Sequence, residues 1–168
     1  MDRRRLRHEL HRLGMPAEFT VAQLAEALAR TRARPLRLRP EPLPADGLTG
    51  GLLVTDDVDV VVYQRDTTAL HQTHIICHEF GHLLAGHRTV DVRGPEAVRL
   101  LAPNIDPAVI RRILGRTDYA KHEEQEAEDI AGVLMRRYIA DQAEHAEWIV
   151  PDTAAPAVRR LLDTLGPG

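Results

Sequence analysis

The chain has 168 residues, enough for one domain with a sizeable apolar core and too few for two ordinary ones. Apolar residues make up 43% and charged residues 28%, which excludes a disordered or membrane-embedded composition. A formal net charge of -3 argues against a surface tuned to nucleic acid, so no direct nucleic-acid binding is expected.

The single cysteine, Cys77, excludes an internal disulfide and suits a reducing compartment. The basic run at residues 3–5 is followed by no long apolar segment, so neither a secretory signal nor a membrane span is expected, and the expected location is cytoplasmic.

In chain order, Asp2 caps an expected helix over residues 3–13, with Leu6, Leu10 and Leu13 on one face. Thr20 caps a second, in which Val21, Leu24, Ala25 and Leu28 share a stripe. This pair (residues 1–34) superficially suggests a helix-turn-helix, but no polar base-reading face follows the turn.

Residues 35–66 predict a small antiparallel sheet. The proline-rich stretch 35–44 is unsuited to a central strand, so residues 36–39 are expected at an edge. Residues 52–55 and the β-branched run 58–63, separated by Asp56 and Asp57, predict a hairpin.

A helix follows over residues 67–87. Residues 88–118 carry the breakers Gly94-Pro95 and Pro107, with a short helical pattern at 108–114, and read as an insert or lid. A strong helical pattern covers 119–141, and a last one, 152–166, is bracketed by prolines. The expectation is a single, mostly helical α+β domain, residues 1–168.

The chemistry centres on HEFGH at residues 78–82. His78 and His82 lie four residues apart, so a helix puts both imidazoles on one face, able to hold one metal ion. Glu79 lies beside them, placed to take a proton from a metal-bound water without being a ligand. Zn2+ suits nitrogen and carboxylate donors with one position left open. Gly81 allows another backbone to come close.

A catalytic zinc site needs a third protein ligand, and the acidic segment HEEQEAED at 122–129 is the obvious source. Ala127, Ile130, Ala131, Leu134 and Tyr138 define a buried stripe on that helix. At 100° per residue, Glu124 lies about 60° from its centre and Glu126 about 100° away on the other side, with Glu123 about 40° off. Glu124 and Glu126 both stay open as ligands on this reading. An inward-facing carboxylate needs a cation, and a metal can supply it.

The two segments HEFGHLLAGH (78–87) and EQEAEDIA (124–131) together resemble the ImmA/IrrE metallopeptidases, which pair HExxH with E-x-x-A-N-x-F-A. The resemblance is closest to short members found beside helix-turn-helix regulators and often labelled toxin components. It implies a zincin-like, gluzincin-like fold with His78, His82 and Glu124 as ligands and Glu79 as the base. Glu128 stands where the pattern has Asn, and Ile130 where it has Phe. Glu128 can still orient a histidine ligand.

His71 and His74 continue the same helix face and read as solvated or substrate-facing. His87 and Tyr119 are candidates for stabilising an oxyanion. The leading expectation is a zinc endopeptidase acting on a protein substrate, and the resemblance implies a helix-turn-helix repressor cut at one site. If the strand at 58–63 lies at a sheet edge, it would align an extended substrate. The alternative is a metal-binding regulator or toxin component that docks a transcription factor without significant proteolysis.

Overall fold

A computed structural model describes residues 1–43, 49–55, 57–87, 90–91, 119–138 and 148–149. Helix α1 (Arg3–Arg12) starts where the Asp2 carboxylate accepts the Arg5 N–H at 2.8 Å, and it buries Leu6 and Leu10. Helix α2 (Val21–Arg32) opens on a reciprocal cap. The Thr20 hydroxyl accepts the Gln23 N–H at 3.2 Å, and the Gln23 side chain accepts the Thr20 N–H at 2.9 Å. Two orphan donors of the first turn are thereby satisfied.

Three strands carry the sheet: β1 (Leu36–Glu41), β2 (Gly50–Val54) and β3 (Asp59–Gln64). Two-residue pieces, β4 (Val90–Asp91) and β5 (Trp148–Ile149), flank them in the order β4-β2-β3-β1-β5. β2 and β3 form the expected antiparallel hairpin, pairing from Gly50 with Tyr63 to Val54 with Asp59. Its turn is held by Thr55, whose hydroxyl donates to the Val58 carbonyl at 2.8 Å.

The sheet is mixed, whereas an antiparallel one was expected from the sequence. β1 runs parallel to β3, from Leu36 beside Asp59 to Glu41 beside Gln64. β1 is also not a simple edge strand, because β5 pairs with Leu36 and Arg37 on its other side. Pro40 lies beyond those two residues, so its missing N–H faces no partner strand there among the described residues. β3 is central, between β2 and β1. Buried Asp59 ties it to α2 through ion pairs with Arg32 and with Arg34, the latter at 3.3 Å.

Helix α3 (Ala69–Ala85) begins at Thr68, whose hydroxyl accepts the His71 N–H at 3.2 Å. It ends at Gly86, in the left-handed region at φ 74, with the N–H groups of Gly86 and His87 both returning to the His82 carbonyl at 3.1 Å. Only glycine takes that conformation readily. Helix α4 (Lys121–Met135) packs along α3 and buries Ala127, Ile130, Ala131 and Leu134, four of the five residues of the stripe read from the sequence; the fifth, Tyr138, lies beyond the helix and is half-buried. It stops at Met135, short of the expected 141. Arg136 and Arg137 turn, and Tyr138 bridges to Phe19. The expected helices at 108–114 and 152–166 lie outside the described residues, as does nearly all of the 88–118 segment.

Leu24, Leu36, Leu52, Val61, Ile76 and Phe80 lie in one core between helices and sheet. Aliphatic side chains dominate it, as a 4% aromatic content requires. Among the described residues no helix is long and apolar enough to cross a membrane.

Candidate metal centre

One full helical turn separates His78 from His82 on α3, and the structure brings their Nε2 atoms to 3.1 Å. α4 approaches at Gly81, where a Cβ would lie 2.8 Å from the Ala127 carbonyl oxygen. That approach puts Glu124, three residues before Ala127, at the histidine pair. Its carboxylate oxygens lie 3.2 Å from His78 Nε2 and 4.0 Å from His82 Nε2. All three donor atoms fall within 4.8 Å of one another.

Zinc bonds of about 2.0–2.1 Å in a tetrahedron place neighbouring ligand atoms about 3.3 Å apart. The His78–His82 and His78–Glu124 separations already have that length, while the other Glu124 oxygen lies 4.0 Å from His82 Nε2. Two nitrogens and a carboxylate are a donor set that zinc accepts. The residues fit the ion.

The histidine Nδ1 atoms are also engaged. His78 Nδ1 lies 3.3 Å from Glu128 Oε2, and the other Glu128 oxygen is 3.2 Å from His74 Nε2. Glu128 thus takes the orienting place proposed for it, and His74 is drawn into the same cluster. His82 Nδ1 lies 3.0 Å from His87 Nδ1. His87 Nε2 in turn lies 3.0 Å from Glu126 Oε2, and Glu126 Oε1 meets the Met1 amino group. Glu126 therefore stands behind His82, while Glu124 stands beside the Nε2 atoms of His78 and His82. Glu123, close to the buried stripe by helical phase, instead accepts the Ala120 N–H at 2.9 Å and caps the helix.

His87 does not sit where an oxyanion stabiliser belongs, because it touches the rear nitrogen of His82. Tyr119 does face the cleft. Its ring stacks on His82 at a centroid distance of 3.7 Å and an interplanar angle of 17°, and its buried hydroxyl has no hydrogen-bond partner among the described residues. His71 lines the same cleft, with Nδ1 2.9 Å from the Thr67 hydroxyl.

Glu79 is 5% exposed, and its Oε2 has no hydrogen-bond partner among the described residues. Burial, and then the charge of Glu124, push its carboxyl up to about 8. Burial, then the neighbouring His78 and His87, push His82 down to about 3. Burial, then Glu79 and Glu124, also raise the Tyr119 hydroxyl. A neutral His82 is ready to donate a lone pair, and a cation at the triangle would draw Glu79 back toward its ionised form.

This chain matches no family model, no curated protein and no solved structure. Its own geometry therefore carries the functional reading.

The cleft holds about 350 Å³ and opens onto the metal position. One wall is the start of β2, Thr49 with Gly50 and Gly51, and another is Ile75. The part played by Gly50 was missed from the sequence. Its signal was a glycine pair at the head of a strand pattern, which often marks a close approach. A Cβ at Gly50 would lie 2.4 Å from the Ile75 side chain and 3.3 Å from Glu79 Oε1.

Proposed function

We propose that this chain is a zinc-dependent endopeptidase that cleaves a specific protein partner, with a helix-turn-helix transcriptional repressor as the partner class. The partner class comes from the likeness of HEFGHLLAGH and EQEAEDIA to the ImmA/IrrE motifs. The chemistry rests on one observation. A buried carboxylate, Glu79, with an unpartnered oxygen lines the same cleft as a three-donor cluster of zinc-like dimensions.

His78, His82 and Glu124 would hold the ion. When bound, zinc supplies a Lewis acid and lowers the pKa of water to near neutrality. Glu79 accepts the proton of the attacking water and delivers it to the leaving nitrogen. The Tyr119 hydroxyl, otherwise unpaired, donates to the oxygen on which charge develops.

An extended substrate needs an unpaired strand edge. β3 cannot offer one, because β2 and β1 cover both its sides. β2 can, since β4 pairs only with Leu53 and Val54 and leaves Gly50 to Leu52 open among the described residues. Strand addition there would run a peptide past Glu79 and the metal position.

The test is elemental analysis of the purified protein, then incubation with helix-turn-helix regulators of the proposed partner class. About one zinc per chain and a single cut are expected, with Glu79→Gln retaining zinc and losing cleavage. A parental protein that binds zinc and regulator without cutting would leave docking as the function.

A further inference from the structure

We infer that His87 and Glu126 form a fixed support behind the His82 ligand, which keeps Nδ1 of His82 protonated and turns its Nε2 lone pair toward the metal position. The inference rests on the metal-site reading above and deepens it.

His87 reaches this place only because α3 stops. At 100° per residue, a position five after His82 would point about 140° away from it on a continuing helix. Gly86 breaks the helix in the left-handed region, and the His87 N–H folds back onto the His82 carbonyl at 3.1 Å. The two Nδ1 atoms then meet at 3.0 Å. Two facing ring nitrogens can share only one proton, so one donates and the other accepts.

Glu126 decides the direction. Its carboxylate, an acceptor when ionised, lies 3.0 Å from His87 Nε2. His87 therefore carries its proton on Nε2 and offers a bare Nδ1. His82 must fill that acceptor with Nδ1–H, which leaves its Nε2 free beside His78 Nε2 and Glu124. The two ligands are thus held differently: His78 by the carboxylate of Glu128, and His82 by a neutral imidazole backed by Glu126.

The test uses the full chain, with zinc affinity measured by competition with a chromophoric chelator and imidazole protonation read by long-range 1H–15N correlation. In the zinc-loaded parental protein, His82 should carry Nδ1–H and His87 should carry Nε2–H. His87→Leu, which removes the acceptor, should weaken zinc binding about 10- to 100-fold. His87→Gln, whose amide oxygen can accept the same proton, should stay within about threefold. Glu126→Gln should fall between them and serves as the second variant if His87→Leu does not fold. Unchanged affinity in His87→Leu and Glu126→Gln, or a proton on His87 Nδ1 in the parental protein, overturns the inference. A parental protein that takes up no zinc overturns the metal-site reading itself, and the inference with it.

Discussion

Gly81 and Ala127 meet backbone to backbone: a Cβ on Gly81 would lie 2.8 Å from the Ala127 carbonyl oxygen and 3.1 Å from its Cα. Neither atom can swing aside as a side chain does, so any substituent at Gly81 must push α3 and α4 apart. Two effects oppose each other in Gly81→Ala. Alanine favours a helix over glycine by about 1 kcal/mol, and overpacking costs about 1–3 kcal/mol. The contact is with backbone, so overpacking should win. The expected outcome is a lower urea midpoint for the zinc-free protein and weaker zinc binding, because Glu124 moves with Ala127. A higher midpoint would show that the helices have room.

That contact also shows what could be read before the fold was known. The 3.6-residue period placed Ala127, Ile130, Ala131 and Leu134 inside, and the His78–His82 spacing put both rings on one face. The helix expected over residues 67–87 contains α3, whose caps at Thr68 and Gly86 fall inside those bounds. Helical phase left Glu124 and Glu126 both open, because phase gives an angle and not a distance. The packing at Gly81 brings Glu124 to the histidine pair and leaves Glu126 at His87. The parallel pairing of β1 with β3 was not legible, since strand order depends on contacts remote in sequence. The role of His87 was hidden for a related reason: it depends on the reversal at Gly86, which carries a side chain out of helical register.

The unpartnered hydroxyl of Tyr119 invites a direct test of its role. Tyr119→Phe keeps the ring that stacks on His82 and deletes one donor. Loss of one donor to a developing oxyanion typically costs about 100- to 1000-fold in kcat. The expected result is a fall of that order on the true substrate, with KM and zinc affinity little changed. A variant with full activity would remove Tyr119 from the chemistry.

Gly50 stands between the sheet edge and Glu79. In Gly50→Ala the new methyl would press on Ile75 and approach Glu79 Oε1. Ile75 is packed in the core and 4% exposed, so it yields poorly. The expected outcome is a large loss of cleavage with a smaller loss of zinc binding, because Ile75 shares α3 with His78 and His82 while Glu124 lies on α4. Comparing kcat/KM with zinc affinity for this variant separates the strand edge from the metal ligands. If both fall by the same factor, the strand supports the fold rather than the substrate.

The zinc-free protein should show a stability plateau set by two groups of opposite sign. Glu79 is raised from an ordinary 4.5 to about 8 by burial and by Glu124. Its protonated form is favoured in the folded state, so its contribution is complete below pH 4.5 and is lost as the pH climbs to 8. His82 is lowered from 6.5 to about 3 by burial and by its histidine neighbours. It is favoured neutral, so its contribution is complete above pH 6.5 and is lost as the pH falls toward 3. His87, lowered chiefly by burial, adds to the acid side. Each proton difference gives a slope of about 1.4 kcal/mol per pH unit. Between pH 4.5 and 6.5 the slopes of Glu79 and His82 oppose each other. Above 6.5 Glu79 acts alone among these groups, and stability should fall. Glu79→Gln cannot ionise, so it should abolish the alkaline fall and leave the acid one. Urea titrations of both proteins at pH 5, 6.5 and 8, with chelator present, measure this. An alkaline fall of equal size in Glu79→Gln would show that some group other than Glu79 causes it.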